Sequence, residues 1–462
     1  MNGKKVLVIG LDCAPPELLF NGFIDDLPNL KKLLQHGVHA RMKSTHPPIT
    51  IPAWMVMATS KSMGKLGLYG FRHRKPGTYN EIWLANSYSV KEKIVWDILG
   101  DRGKKVIVVG VPPSYPPRPV NGCLISCFMT PSTEKDYTYP KELKQEIENL
   151  VGEYIVDVVF RTEEKDQMLK QLYDMTEKRF KVIGYLMKNK PWDFLMFVEI
   201  GVDRIHHAFW KFFDKQHHLY QPRNKYENVM KEYYQFVDNE IGKLLKLIDK
   251  NTTVIVVSDH GAKRMTGAFS INEWLIKKGY LVLKKSPKKI VSVQEAEVDW
   301  SKTKAWGWGG YHARVFLNVR GREPQGIIDP KDYKKYRNRL IADLEAIRGP
   351  NGEEWDTKVY TPEQIYPDGK GDYPDLTVYY DDLRWRSAGT IGYASPYLSE
   401  NDKGPDDAVH SHYGVFVLYD PNKKEGKRIG DISILDVAPT ILEIMGIPVP
   451  LDMEGKVVKE AL

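Results

Sequence analysis

Five separated stretches of the 462-residue chain carry side chains that can ligate metals or attack electrophiles: Asp12, Thr50, Asp203 with His207, Asp259 with His260, and His410. Asp203 and His207 are four apart, so on a helix they share one face and can hold one cation. His206, at a separation of three, competes on geometry alone. The set offers carboxylates and imidazoles without a thiolate, which suits a catalytic zinc, manganese or iron better than a structural zinc. Seven such groups suffice for two divalent ions with open positions. Ions paired about 3.5–4 Å apart clamp the attacking and leaving oxygens of an in-line displacement at phosphorus. Thr50 has a role in such chemistry. Its hydroxyl attacks weakly until a metal takes its proton, after which it can accept a phosphoryl group that water later removes. Each residue alone also has a plainer reading: an acid after a strand caps a helix, a threonine between prolines makes a turn, and a lone histidine packs in a core.

The elements that must position these residues are legible as apolar runs. Val254-Ile-Val-Val-Ser-Asp-His-Gly261 is a β-branched run ending in the acid–imidazole pair, as expected of a buried parallel strand. Lys5 to Asp12 and Trp192 to Asp203 are similar runs ending in acids, and Lys104 to Pro113 is a further strand and turn. In open α/β sheets ligands sit beyond the carboxyl ends of the strands, where these acids would arrive. Thr45 to Trp54 is too rich in proline for regular structure and predicts a stiff loop leading into a helix from Met55 to Ser60. Thr50 would then lie near a helix N-terminus, a natural anion site. Residues 140–190 predict long amphipathic helices, an insertion that could cover a site. Residues 227–249 predict a helix with an apolar stripe of Met230, Tyr234, Val237, Ile241, Leu244 and Ile248. Residues 299–382 mix short strands with a helix, Val415 to Tyr419 is a strand, and residues 432–446 predict a closing helix with a glycine stop. The alternation predicts an α/β fold with a mostly parallel central sheet and helices on both faces.

The composition is that of an ordinary globular chain, 42% hydrophobic and 27% charged, and it excludes several classes of protein. No apolar run approaches the ~20 residues of a membrane helix, so no membrane partner is expected. The first strand-like run is too short for a signal-peptide core, and no export signal is read. Cys13, Cys123 and Cys127 make no disulfide framework and fit a reducing cytoplasm. The net charge of +7 could help draw in a small anionic substrate. Lysines and glutamates are interspersed, and only Arg72 to Lys75 clusters charge, so no nucleic acid is expected.

Taken together, Val8-Ile-Gly-Leu-Asp12, Pro48-Ile-Thr-Ile-Pro-Ala-Trp54, Asp203-Arg-Ile-His-His207, Ser258-Asp-His-Gly261, His410-Ser-His-Tyr-Gly414 and the closing Ile434-Leu-Asp-Val-Ala-Pro-Thr-Ile-Leu442 resemble one family. It is the type I phosphodiesterase/nucleotide pyrophosphatase branch of the alkaline phosphatase superfamily, and the resemblance covers nearly the whole chain. It implies Thr50 as nucleophile. It implies one metal on Asp203, His207 and His410 and another on Asp12, Thr50, Asp259 and His260, with two zinc ions expected first and manganese or iron as alternatives. His410 is preferred to His412 because the family's last histidine often stands four residues before a glycine, here Gly414. Nucleotide pyrophosphatases carry a phosphate-contacting asparagine where this chain has Phe71, which leaves Arg72, His73, Arg74 or Lys263 as candidate substrate contacts. Sulfatases carry Cys or Ser as nucleophile with an arginine four residues on, where Trp54 stands here, and the superfamily's phosphoglycerate mutases use serine. The resemblance also implies one alkaline phosphatase-like domain over residues 1–462. Its core would lie at about 1–130, 191–275 and 400–462, with inserted or cap regions at about 131–190 and 276–399. The expected activity is metal-dependent hydrolysis of phosphodiesters through a phosphothreonine. A phosphomonoesterase, a phosphotransferase and a catalytically silent anion-binding protein remain alternatives.

Overall fold

A computed structural model describes residues 4–423 and 426–462 of the chain. Its centre is a ten-stranded sheet whose main path is Lys427–Arg428, Val38–Lys43, Tyr413–Tyr419, Thr252–Val257, Lys5–Leu11, Phe194–Glu199, Val106–Val109, Gly122–Ile125 and Thr138–Tyr139. The five consecutive strands from Thr252–Val257 to Gly122–Ile125 are mutually parallel. Tyr413–Tyr419 runs antiparallel to both of its neighbours. The β-branched runs are continuous because both faces are covered. Along Lys5–Leu11, Leu7, Ile9 and Leu11 join one apolar cluster, while Val6 and Val8 join the cluster on the opposite face.

The first cluster is closed by the helices Pro28–His36, Lys165–Asn189, Gly201–Phe213 and Val229–Leu245. The 25-residue helix Lys165–Asn189 contributes Leu172, Met175, Phe180, Ile183 and Leu186 to that cluster, so it lies against the sheet face. The buried Arg179–Glu199 ion pair at 3.1 Å ties this helix to the end of a core strand. The second cluster is closed by Thr50–Thr59, Val95–Asp101 and Val437–Ile444. A third cluster packs the antiparallel sheet of Ala305–Trp308, Ala313–Leu317, Leu376–Tyr379 and Lys358–Tyr360 against the helices Ile271–Lys277 and Tyr333–Glu345.

One local expectation is corrected. The helix expected to follow the proline-rich loop from Met55 begins at Thr50 and includes Pro52 in its first turn. Proline is tolerated there because the N–H it lacks has no intrahelical acceptor anyway. Among the described residues, no helix is long and apolar enough to cross a membrane.

Candidate metal centre

Every candidate ligand reaches the same edge of the central sheet. Asp12 immediately follows Lys5–Leu11, Asp259 and His260 follow Thr252–Val257, and Asp203 lies in the first turn of the helix after Phe194–Glu199. Thr50 opens the helix that follows Val38–Lys43, a strand pointing the same way as the parallel core. His410 comes from the other direction: Tyr413–Tyr419 is antiparallel, so its beginning lies where its neighbours end. One reversed strand therefore brings a residue from the far end of the chain to this edge.

The side chains fall into two groups. Asp203, His207 and His410 lie with Cys13 so that one ligating atom from each is within 4.8 Å of the others, and Asp12, Asp259 and His260 form a second such group. Thr50 Oγ1 stands 3.2 Å from His260 Nε2, and the His260 and His410 rings stack at 3.8 Å, so the two groups adjoin. His410 Nδ1 donates to the Pro48 carbonyl at 2.9 Å and His260 Nδ1 to the Gly261 carbonyl at 3.1 Å, which turns each Nε2 lone pair toward the centre. His207 is oriented likewise by Asp406 Oδ1, 2.7 Å from its Nδ1, while Asp203 Oδ1 lies 3.1 Å from its Nε2. A carboxylate behind a ligating histidine fixes the ring and raises its basicity.

The donor set fits divalent cations. Asp12 Oδ1, Asp259 Oδ2 and His410 Nε2 are buried without a hydrogen-bond partner; Asp259 Oδ2 lies 3.0 Å from His260 Nε2, but not in hydrogen-bond geometry. Buried polar atoms without partners are costly unless a cation takes their lone pairs. Burial, then the charges of Asp259 and Asp203, push the Asp12 carboxyl well above its usual range, although Trp54 Nε1 donates to its Oδ2 at 2.7 Å. Asp203 is also buried, but His207 and Arg204 overcome that and hold it well below the carboxylate range. Burial and the neighbouring His260 and His207 keep His410 neutral, as a ligand requires.

The competing candidates point elsewhere. His206 Nε2 lies 3.0 Å from the Tyr234 hydroxyl, and His412 Nε2 lies 3.0 Å from Asp382 Oδ1. His73 is buried, stacked on Trp83 at 4.0 Å, and accepts from the Tyr69 amide. Arg74 is held by Asp372 and Glu323, and Lys263 by Asp382. Arg72 does line a cavity beside the centre, together with Phe71. Three participants carry no sequence signal. Asp406 is four residues before His410 and reaches the centre through His207, Tyr311 stacks on His410 at 3.7 Å, and Cys13 enters by standing next to Asp12.

Buried acids and imidazoles in two adjoining groups, gathered at the carboxyl edge of a parallel sheet with a threonine hydroxyl against them, define an α/β protein equipped for hydrolytic chemistry. The chain belongs to the type I phosphodiesterase/nucleotide pyrophosphatase family, whose sequence profile it matches over residues 6–406. Membership makes it a hydrolase of phosphate esters within the alkaline phosphatase superfamily. The solved structure of human ectonucleotide pyrophosphatase/phosphodiesterase 5 shares the fold at a TM-score of 0.57 and 12% identity, covering 99% of this chain and 100% of that one. The murine protein of the same name, in an inactive threonine-to-alanine form complexed with AMP, shares it at 0.55 and 12% identity, covering 97% and 96%. No curated protein matches the chain in sequence.

Proposed function

We propose that the protein is a two-metal phosphodiesterase in which Thr50 is the nucleophile and a phosphothreonine is the intermediate. The observation that carries this reading is the position of Thr50: a buried hydroxyl at the start of a helix, 3.2 Å from His260 Nε2. Asp203, His207 and His410 would hold one ion, and Asp12, Asp259 and His260 with the Thr50 oxygen the other. When bound, two such ions supply Lewis acidity to the phosphoryl oxygens and lower the pKa of hydroxyl and water ligands. Thr50 Oγ1 attacks phosphorus, the P–O bond to the leaving alcohol breaks, and water then cleaves the phosphothreonine to return the free hydroxyl. The first turn leaves the Thr50 and Ile51 amides without intrahelical acceptors, and these favour an anion at that end. Trp54 reaches back from the same helix to steady Asp12, and Asp406 steadies His207. The murine relative's complex with AMP supports a phosphate ester as the ligand class.

The test is turnover of bis-nitrophenyl phosphate and nitrophenyl phosphate by protein reconstituted with zinc or manganese. We expect the diester to be preferred. Thr50→Ala should lose about a thousandfold or more in kcat while binding the same metal equivalents. Wild-type turnover in that variant refutes the nucleophile, and a strong monoester preference refutes the diester assignment.

A further inference from the structure

The cavity next to the metal centre carries charge that the two-metal chemistry leaves unused. It measures about 360 Å³, within the range of small-molecule sites. It adjoins the centre directly: Ile49 lines it, and Tyr311, another wall residue, has its hydroxyl 3.2 Å from His207 Nε2. Five arginines line it and no acid does. Three of them have carboxylate partners behind the wall. Arg161 and Arg386 pair with Asp406 at 2.9 and 2.8 Å, and Arg204 pairs with Asp157 at 2.8 Å and with Asp203 at 2.5 Å.

Arg314 and Arg72 have no carboxylate partner among the described residues. Arg314 Nη1 donates to the Arg72 carbonyl at 2.7 Å, and its guanidinium lies over Trp308 at 5.1 Å. Asp372, the acid that acts on it from a distance, is held by Arg74 through two hydrogen bonds. Burial, then repulsion from Arg72, brings the Arg314 pKa down to about 10, so its cation lacks compensation where it stands. Both arginines also line an outer cavity of about 410 Å³, where Asp402 and Glu295 appear at the wall; Asp402 is hydrogen-bonded to Thr390 at 2.9 Å and Glu295 to Ser292 at 2.7 Å. The packing contacts of Arg314 would hold a neutral side chain as well. Arg314 is half-buried and Arg72 exposed, and these contacts set no negative charge against either guanidinium group, which leaves both free to meet an anion at the cavity wall.

We infer that Arg314 and Arg72 form a second anion subsite, which receives a phosphate monoester carried on the non-reacting end of the substrate while its diester sits at the metal centre. Two guanidinium forks match a dianionic phosphate in charge and in planar donor geometry. The preferred substrate is accordingly a phosphodiester with a further phosphate a short distance along the retained arm. This inference rests on the two-metal phosphodiesterase reading for the position of the scissile bond.

The experiment compares two nitrophenyl phosphodiesters of ethanediol, one with its distal hydroxyl free and one with it phosphorylated, on the zinc-loaded enzyme. Charge-assisted hydrogen bonds of the usual strength predict a kcat/KM advantage of about 10- to 100-fold for the phosphorylated ester. Arg314→Gln should collapse that ratio toward one, Arg314→Lys should restore part of it, and Arg72→Gln should lower it independently if the Arg314 variants fold poorly. A merely structural Arg314 would depress both esters together and leave the ratio unchanged, which overturns the inference, as does a wild-type ratio near one. Calorimetric binding of the same two esters to zinc-loaded Thr50→Ala protein, with and without Arg314→Gln, reads the subsite without turnover. If bis-nitrophenyl phosphate is not cleaved, the catalytic reading fails while this affinity ratio still decides the subsite.

Discussion

His207 is held from both sides of its ring, by Asp406 at Nδ1 and Asp203 at Nε2, and Asp406 also receives Arg161 and Arg386. One carboxylate thus orients a candidate ligand and anchors two arginines of the adjoining cavity. Asp406→Asn keeps the shape but weakens the acceptor behind the imidazole. It should loosen the metal of the Asp203–His207–His410 group by about 10- to 100-fold, as loss of such outer partners usually does. A competition titration against a chromophoric chelator should find one of two zinc equivalents weakened and the other unchanged; two wild-type equivalents would refute the orienting role. The candidate ligands themselves were legible in the sequence because acids and imidazoles at the ends of apolar runs are rare company. Asp406, Tyr311 and Cys13 were not, because only the fold brings each of them to the ligating acids and histidines.

At the level of elements, the end of the first strand and the helix that opens with Thr50 are fitted to each other at Gly10. A Cβ there would meet Trp54 Cη2 at 2.6 Å and the Phe197 carbonyl at 2.8 Å. The backbone cannot yield easily, so Gly10→Ala should displace the indole that donates to Asp12. Overpacking of this kind costs about 1–3 kcal/mol, read as a lower denaturant midpoint at unchanged slope. Zinc affinity should fall with it. Trp54→Phe separates the effects, since it removes the donor to Asp12 without crowding Gly10. If Gly10→Ala lowers stability but leaves zinc affinity at the wild-type level, the coupling of strand end to metal site is wrong. The core strands were readable from the sequence because doubly covered strands must be apolar throughout. The start of the helix at Thr50 was misread because Pro52 looks like a breaker until its place in the first turn is known. The strands of the third cluster are short and share no period, and their pairing depends on contacts between Ala305–Trp308 and Leu376–Tyr379 through the strand between them.

Over the whole molecule, the candidate centre joins the first strand, the middle of the chain and its last quarter, so bound metal should act as a tie between distant parts of the sequence. Each ion bound at a thousand times its Kd adds about 4.1 kcal/mol to unfolding, which a chelator removes. The pH dependence of that difference has a definite sign. In the metal-free fold, burial and then the charges of Asp259 and Asp203 raise the Asp12 pKa, so the folded state keeps a proton that the unfolded state loses near pH 4. Burial disfavours the cations of His207 and His260, but Tyr311, Asp406 and Asp203 around the first, and Asp259 and Cys13 around the second, outweigh it and raise both. Metal displaces all three protons, so its apparent affinity rises with pH. For Asp12 alone, the chelated protein binds more protons folded than unfolded above about pH 4, and its contribution to stability falls as pH rises to the folded pKa. In the loaded protein Asp12 stays ionised and contributes no such fall. Melting curves with zinc and with chelator, taken from about pH 5 to pH 8, should therefore diverge as pH rises, and calorimetry should record net proton release on zinc binding. Parallel curves and no proton release would mean that these side chains do not take up metal in place of protons, and the two-ion centre would fail with them.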